Sequence, residues 1–399
     1  MNTTQKVIIA TLLVFVLGIF IYALFFRAPT TIPTDTTPTT QTGTGEDTSG
    51  TATETPTTGG DTTTNTTVTP DTTTNTTTPS ETYVLKKISD GPAIAFWIAK
   101  ESGGVFYLTN EGHVVSAKDG VDEVISTQTV NEINKVEASP TGDKSLVLFG
   151  ALHSPQWAIF DTVDAVWRPL PAGLANVTWG ASDIGIVATQ KSGSNNSLYF
   201  INLTKNPYDY KLLAKDFKFN GVQLSIKSAE ELYIAEQPSG LVQSRVWQLN
   251  LKTSALTLLL SPENGLMINW GSAKDILFKF ASPSSFAILN RSLGITQPFT
   301  HITLPQKCDG TADIAFCFVP KDANLFTNTY TMPDDYLMKR IYSSDDVYKL
   351  DLLTGEDALI LKGESDGTPY LDATSVRSRG SSVYFINRYD NYVYAIQKQ

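Results

Sequence analysis

The chain has 399 residues and a formal net charge of −10, with 40 Asp and Glu against 30 Lys and Arg. This acidity, without any basic stripe along the sequence, argues against a surface that follows nucleic-acid phosphates, so no nucleic-acid partner is predicted. Changes in composition divide the chain into four segments, residues 1–6, 7–26, 27–82 and 83–399.

The second segment, Val7–Phe26, is an uncharged and strongly apolar run. At about 1.5 Å of rise per residue, a helix of this length spans roughly 30 Å, the thickness of a bilayer's hydrocarbon core. No small-residue cleavage site follows it, which favours an uncleaved signal anchor over a cleaved signal peptide. Residues 1–6 are then a cytoplasmic tail. The rest of the chain is predicted to be extracytoplasmic, held to the cell membrane by a single pass.

Residues 27–82 contain 28 threonines together with Pro, Gly, Asp and Asn, and very few apolar residues. Such a segment does not bury enough apolar surface to offset its chain entropy, so it is predicted to be a disordered stalk. The stalk is either a bare spacer or a tract stiffened by sugars on its hydroxyls. In both cases it separates the last segment from the membrane.

From residue 83 onward, short runs of alternating apolar and polar residues are broken by turn residues, which is typical of an all-β domain. A strand ending in Asp or Asn recurs, as in Trp157–Asp161, Leu198–Asn202 and Val246–Asn250. Its copies end at residues 118, 161, 202, 250, 290, 351 and 397. Units of roughly 40–45 residues with four strands each predict a β-propeller. Seven blades fit best, with six or eight as alternatives.

The seventh unit has only three strands before the sequence ends at Gln399. Tyr83–Ile88 precedes the first unit and has no other partner, so it is predicted to supply the missing outer strand. This closure joins the two ends of the domain and removes a free sheet edge.

Two stretches resemble known propellers. Ser139-Pro140-Thr141-Gly142 is similar to the Ser-Pro-Asp-Gly turn of TolB-like and dipeptidyl-peptidase-IV-N-terminal-like propellers, with Thr141 in place of the usual Asp. The stretch from Lys307-Cys308 through Met332–Asp335 to Asp346–Asp351 resembles a segment of little-characterised, membrane-anchored bacterial propeller proteins. These resemblances imply a fold and a location, with no reaction attached.

The sixth unit is enlarged by about 25 residues, Lys321–Asp345, between its second and third strands. In propellers this loop lies on the face that carries ligand sites, and long loops in compact domains are often functional. Its mixture of aromatic and charged side chains suits contact with a protein or polymer. The alternative is a flap packed over the central channel. The candidate binding residues are Asn324, Phe326, Tyr330, Asp334, Asp335, Tyr336 and Arg340.

Cys308 and Cys317 flank a turn, so a disulfide is predicted if the strands form a hairpin; two buried thiols are the alternative. No catalytic motif, metal site or cofactor site is predicted. The acidic pairs at 334–335 and 345–346 lack the spacing of a calcium loop and are expected to be solvated. Trp179 and Trp270 occupy matching positions in two units and are expected to fill the wedge between blades rather than bind sugars.

Three functions are compatible with these features. The first is a binding or scaffolding module for a protein or envelope glycan, which rests on the anchor, the stalk and the enlarged loop. The second is an envelope enzyme, a glycan lyase or hydrolase with carboxylates at the channel mouth. The third is a purely structural envelope component. The enzyme hypothesis requires a cluster of ionisable side chains with shifted pKa values at the channel mouth.

Overall fold

The computed structural model describes residues 81–399, apart from 119–120, 193–194, 291, 296–298, 328 and 366–367. The predicted signal anchor at 7–26 and nearly all of the threonine-rich stalk lie outside the described residues. Within the described part of the chain, no helix is both long and apolar enough to span a membrane.

The described residues form seven antiparallel sheets, which are the blades of a β-propeller. The prediction of an all-β, seven-bladed propeller is therefore confirmed. The seventh blade contains β1 (Tyr83–Lys87) and the last three strands. The strands of blades one to three are β2 Ala93–Ile98, β3 Val105–Thr109, β4 Val114–Lys118, β5 Val121–Val124, β6 Lys135–Ala138, β7 Lys144–Phe149, β8 Gln156–Asp161, β9 Val166–Pro169, β10 Leu174–Trp179, β11 Gly185–Ser192, β12 Asn195–Asn202 and β13 Asp209–Ala214.

The remaining blades follow in chain order, and the fifth has three strands among its described residues. Their strands are β14 Gln223–Ser228, β15 Glu231–Ala235, β16 Gln243–Asn250, β17 Leu256–Asn264, β18 Met267–Trp270, β19 Ile276–Ala281, β20 Ser285–Asn290, β21 Cys308–Gly310, β22 Ile314–Pro320, β23 Asp345–Asp351, β24 Asp357–Leu361, β25 Ala373–Arg379, β26 Ser382–Asn387 and β27 Val393–Lys398.

Neighbouring strands are antiparallel, so the starts of the first and third strands of every blade lie at the same end. The linkers between blades reach that end too. We call it the loop face, because it also carries the long connection from β22 to β23. First strands of successive blades contact each other, as β10 contacts β14 and β21 contacts β25, and they surround the centre of the propeller.

The Asp or Asn that ends most third strands has a local structural role. Oδ1 of Asp351 accepts hydrogen bonds from the backbone N–H groups of Leu353 and Thr354, both at 2.9 Å. Asp161 and Asn250 bond in the same way to the residues two and three positions further on. Short Asx side chains stabilise turns by such bonds, which explains why the residue type recurs with the blade.

The predicted closure of the seventh blade is confirmed. β1 pairs antiparallel with β27 over its whole length, with Tyr83 opposite Lys398 and Lys87 opposite Tyr394. Tyr83 is buried in the apolar cluster shared by the sixth and seventh blades. Glu81, just before β1, accepts hydrogen bonds at 2.7 Å from Lys349 and Lys398. These bonds, led by the one from Lys349, lower the pKa of Glu81 to about 2.

The two matching tryptophans pack between blades, as predicted. Trp179 in the third blade is buried, and its indole N–H donates to the backbone oxygen of Glu137 in the second blade at 2.9 Å. Trp270 in the fifth blade stacks on Tyr233 in the fourth, with ring centroids 4.8 Å apart. Each therefore joins its own blade to the preceding one.

The turn that begins at Ser139 also joins blades, at the end opposite the loop face. Ser139 Oγ and the backbone N–H of Thr141 donate to the carboxylate of Asp183 in the third blade, at 2.7 and 3.1 Å. Gly142 has φ +77°, and a Cβ there would lie 2.1 Å from the carbonyl oxygen of Ile98 in the first blade. The motif thus holds three blades together.

Cys308 and Cys317 lie directly opposite each other in the pairing of β21 with β22, and a disulfide joins them. Both side chains are fully buried among apolar residues of the fifth and sixth blades. The disulfide therefore links the first two strands of the sixth blade inside the core.

We expect replacement of Tyr83 by alanine to lower the free energy of unfolding by about 3 kcal/mol, because a large buried ring is lost from the closing strand. The measurement is urea unfolding followed by circular dichroism. Val84→Ala is the matched control: Val84 is the next residue of β1 and is 37% exposed, so its change should be within about 0.5 kcal/mol. Equal losses in the two variants would contradict the closure.

Candidate functional site

The long connection of the sixth blade contains two short helical turns on the loop face. It runs from Lys321, after β22, to Ser344, before β23. It contains a 3₁₀ turn at Ala323–Phe326 and one α-helical turn, α1, at Asp334–Leu337. We call residues 321–344 the long loop.

Two of the seven predicted binding residues lie in the interior, so a partner-contacting role for them is wrong. Phe326 is 4% exposed and Tyr336 is 2% exposed. Both pack with Phe280 of the fifth blade and with Leu304 of the linker that precedes the sixth. The long loop therefore has its own apolar core on the propeller, in keeping with the alternative prediction of a packed flap.

Two acidic residues form hydrogen bonds that fix the long loop, one to a neighbouring blade and one within the loop itself. Asp334 accepts a hydrogen bond from the backbone N–H of Gly240, in the fourth blade. Asp335 accepts one from the backbone N–H of Thr331 at 2.8 Å and pairs with Arg340 at 3.0 Å. The Thr331 bond, followed by Arg340, lowers the pKa of Asp335.

The other three predicted residues lie at the surface. Asn324 and Arg340 are exposed, and Tyr330 is 37% exposed. They are spread along the long loop, and the described structure shows no hydrogen bond, ion pair or ring contact among the three side chains. Their predicted contact with a partner stays a prediction.

A buried charge cluster lies beneath the long loop, and the sequence did not indicate it. The ammonium of Lys307 contacts the carboxylates of Asp345 at 2.5 Å and Asp372 at 2.6 Å. It also donates to Ser343 Oγ at 2.8 Å. Lys307 precedes β21, Asp345 begins β23 and Asp372 precedes β25, so these residues meet because three strand starts share the loop face. All three charged side chains are inaccessible to solvent.

Arg388 and Tyr336 complete the charge cluster. Arg388 pairs with Asp372 at 2.9 Å and donates to the backbone oxygen of Tyr336 at 3.1 Å. The Tyr336 hydroxyl donates to Asp372 at 2.6 Å. Two cations then balance two carboxylates, which is the condition for burying charges at tolerable cost. Tyr336 belongs to the long loop, so the loop is tied to the sixth and seventh blades by a charged network.

The carboxylates of the cluster differ in their surroundings. Burial, only partly offset by Lys307, raises the pKa of Asp345. Burial acts the same way on Asp372, but Lys307, Tyr336 and Arg388 together lower its pKa below the usual value. The expectation that the Asp345–Asp346 pair is solvated is therefore wrong for Asp345, whose Oδ1 is buried and accepts no hydrogen bond within the described structure.

Three exposed tyrosines lie directly above this cluster, and we call Tyr342, Tyr370 and Tyr389 the tyrosine patch. Their exposures are 43%, 56% and 47%. The ring centroids of Tyr342 and Tyr389 are 5.5 Å apart, and those of Tyr370 and Tyr389 are 5.8 Å apart. The Tyr389 hydroxyl donates to the backbone oxygen of Ser343 at 3.1 Å. The guanidinium of Arg388 lies 4.7 Å from the centre of the Tyr342 ring. The patch thus rests on the charge cluster.

No group of three or more His, Cys, Asp or Glu side chains positioned to hold a metal ion occurs in the described residues. His113 and His153 lie in the first two blades. His301 lies in the linker after the fifth, with its ring nitrogen 3.2 Å from Asp357. The structure does not bring the three histidines together.

Comparison with known proteins finds similarity among solved structures alone. No protein-family model matches the chain, and a search of curated proteins finds no similar sequence. Among solved structures, the chain is similar to the Cps50 (Swd1) β-propeller domain of Myceliophteria thermophila, at 8% identity and TM-score 0.49, over 78% of this chain and 99% of that one. It is also similar to TolB from Acinetobacter baumannii, at 10% identity and TM-score 0.34, over 80% and 63%.

A third similar structure is an oligogalacturonate lyase in complex with manganese, at 8% identity and TM-score 0.47, over 80% of this chain and 98% of that one. At these identities and TM-scores, the similarities assign no site to this chain.

We expect Tyr336→Phe to lower the free energy of unfolding by about 1.5–3 kcal/mol, because a hydrogen bond to a buried carboxylate is lost while the ring stays. Urea unfolding monitored by tryptophan fluorescence measures it. Tyr330→Phe, on the exposed part of the same loop, is the control and should match the wild type. If Tyr336→Phe were also unchanged, the long loop would not depend on the charge cluster.

Proposed function

We propose that the protein is a membrane-anchored binding module whose propeller contacts a protein or envelope glycan through the tyrosine patch. The observation that carries this is the packing of three half-exposed tyrosines on a rigid base. Tyrosine is enriched at recognition surfaces because its ring is apolar and its hydroxyl forms hydrogen bonds.

The residues beneath the tyrosine patch reduce the entropic cost of binding a partner. Arg388 lies under the Tyr342 ring, and Ser343 holds the Tyr389 hydroxyl. Side chains that are already ordered lose less conformational entropy when a partner binds. A patch fixed by buried charges is therefore better suited to recognition than the exposed residues spread along the long loop.

The location follows from the sequence as part of the same proposal. Residues 7–26 hold the protein in the cell membrane, and the domain lies on the extracytoplasmic side. The stalk of residues 27–82, as a random coil, separates its ends by roughly 40 Å, which lets the patch reach a partner away from the bilayer.

An envelope enzyme is the second candidate, because the charge cluster has the shifted pKa values expected of a catalytic site. Its groups are, however, covered by the long loop, with Lys307, Asp345 and Asp372 inaccessible to solvent. A glycan lyase or hydrolase would need the loop to open before substrate reached these side chains. A purely structural role would instead leave the tyrosine patch without a partner.

We expect Tyr370→Ala to reduce capture of the partner from an envelope extract about tenfold or more, since truncating an aromatic residue that carries binding energy costs roughly 2 kcal/mol. Tyr370 suits this test because, among the residues that the structure describes, its one aromatic contact is with Tyr389. The assay is a pull-down with immobilised full-length protein in detergent. Extracts treated with protease or with glycan-degrading enzymes identify the class of partner.

The matched control is Tyr210→Ala, which removes a tyrosine 37% exposed on the outer strand of the third blade. Capture by this variant should equal that by the wild type. Equal capture by the Tyr370→Ala variant would refute the patch as the binding surface.

A further inference from the structure

Lys307 and Asp345 form a pair that is unusual in two respects. The Lys307 Nζ lies 2.5 Å from Asp345 Oδ2, and neither side chain is accessible to solvent. The other carboxylate oxygen, Oδ1, is buried and accepts no hydrogen bond from any described residue. A simple structural ion pair would be expected to satisfy both oxygens.

The charges around the pair permit a neutral form. Arg388 and Asp372 balance each other at 2.9 Å. Transfer of one proton from the Lys307 ammonium to the Asp345 carboxylate therefore leaves the cluster's net charge at zero. The carboxylates, Asp345 foremost, raise the pKa of Lys307 against the effect of burial, so the ion pair is the resting form. Burial raises the pKa of Asp345, which favours the neutral pair as a reachable form.

We propose that Lys307 and Asp345 join in an intramolecular isopeptide bond. The neutral amine attacks the carboxyl carbon, so that a bond forms between Lys307 Nζ and Asp345 Cγ and the bond from Cγ to Oδ1 breaks. One amine hydrogen and the carboxylic acid hydrogen leave with Oδ1 as one water molecule. The reaction is a condensation and needs no oxidant, reductant or co-reactant.

The neighbouring groups suit each part of this step. The backbone N–H of Ala373 donates to Asp345 Oδ2 at 3.0 Å, where it stabilises negative charge that develops on that oxygen during attack. Asp372, 2.6 Å from Lys307 Nζ, takes a proton from the attacking nitrogen and returns it to the departing oxygen. Burial holds nucleophile and carboxyl together without competing water.

The bond would fasten the long loop permanently. Residues 308–344 would become a covalently closed segment, and the disulfide between Cys308 and Cys317 lies within it. The base under the tyrosine patch would then persist under conditions that break ion pairs. This inference does not rest on the proposed binding function.

Tryptic peptide mapping of the reduced and alkylated full-length protein tests it. We expect one branched species that joins residues 292–321, uncleaved at Lys307, to residues 341–349, lighter than their sum by one water molecule. Fragmentation should place the link at Asp345 and not at the adjacent Asp346. Recovery of only the linear peptides 292–307, 308–321 and 341–349 from the wild type would overturn the proposal.

Variants distinguish a bond formed by the Lys307 amine from nonspecific cross-linking. Lys307→Arg keeps the charge without the nucleophilic amine and should give only linear peptides. Lys321→Arg is the control, because the Lys321 ammonium also lies near a carboxylate, 3.8 Å from Asp346, yet is partly exposed. Its branched species should persist. Asp372→Asn should abolish the link, and its retention there would overturn the proton-carrying role of Asp372.

Discussion

The contact of one buried ammonium with two carboxylates determines how the loop face is built. Lys307 lies between Asp345 and Asp372, which come from the third strand of the sixth blade and the linker to the seventh. Arg388 balances the second negative charge. A buried cluster of this kind tolerates no missing member, because each loss leaves a charge unpaired in the interior. The long loop is therefore held in the position where the Tyr336 hydroxyl donates to Asp372. This position also determines where the tyrosine patch lies.

The seventh blade is fastened twice, at its edge and on the loop face. On its outer edge β1 supplies the fourth strand, with Tyr83 in the core and Glu81 between two lysines. On the loop face, Arg388 of the same blade enters the charge cluster. Such double attachment suits a blade that, together with the linker before it, presents two of the three tyrosines of the tyrosine patch. The seventh blade thus both closes the ring and supports the tyrosine patch.

The blades could be predicted from the sequence because each carries its signal locally. Asp351 stabilises its own turn, so the residue marks the end of a third strand wherever the blade repeats. The charge cluster has no local signal: Lys307 and Asp372 are 65 positions apart and meet only after two blades have folded. The burial of Tyr336 has no local signal either, because it depends on packing against Phe280 and Leu304. Composition alone presented the long loop as a binding surface, whereas two of its aromatic residues, Phe326 and Tyr336, form part of the core.

The central claim is that the charge cluster holds the long loop in place. Amide hydrogen exchange across residues 334–344 measures this directly in the wild type and in Asp372→Asn, which removes one charge with little change of shape. The account predicts that this segment exchanges as slowly as β23 in the wild type and much faster in the variant, while β8 in the second blade is unchanged in both. Equal protection of residues 334–344 in the two proteins would contradict the claim.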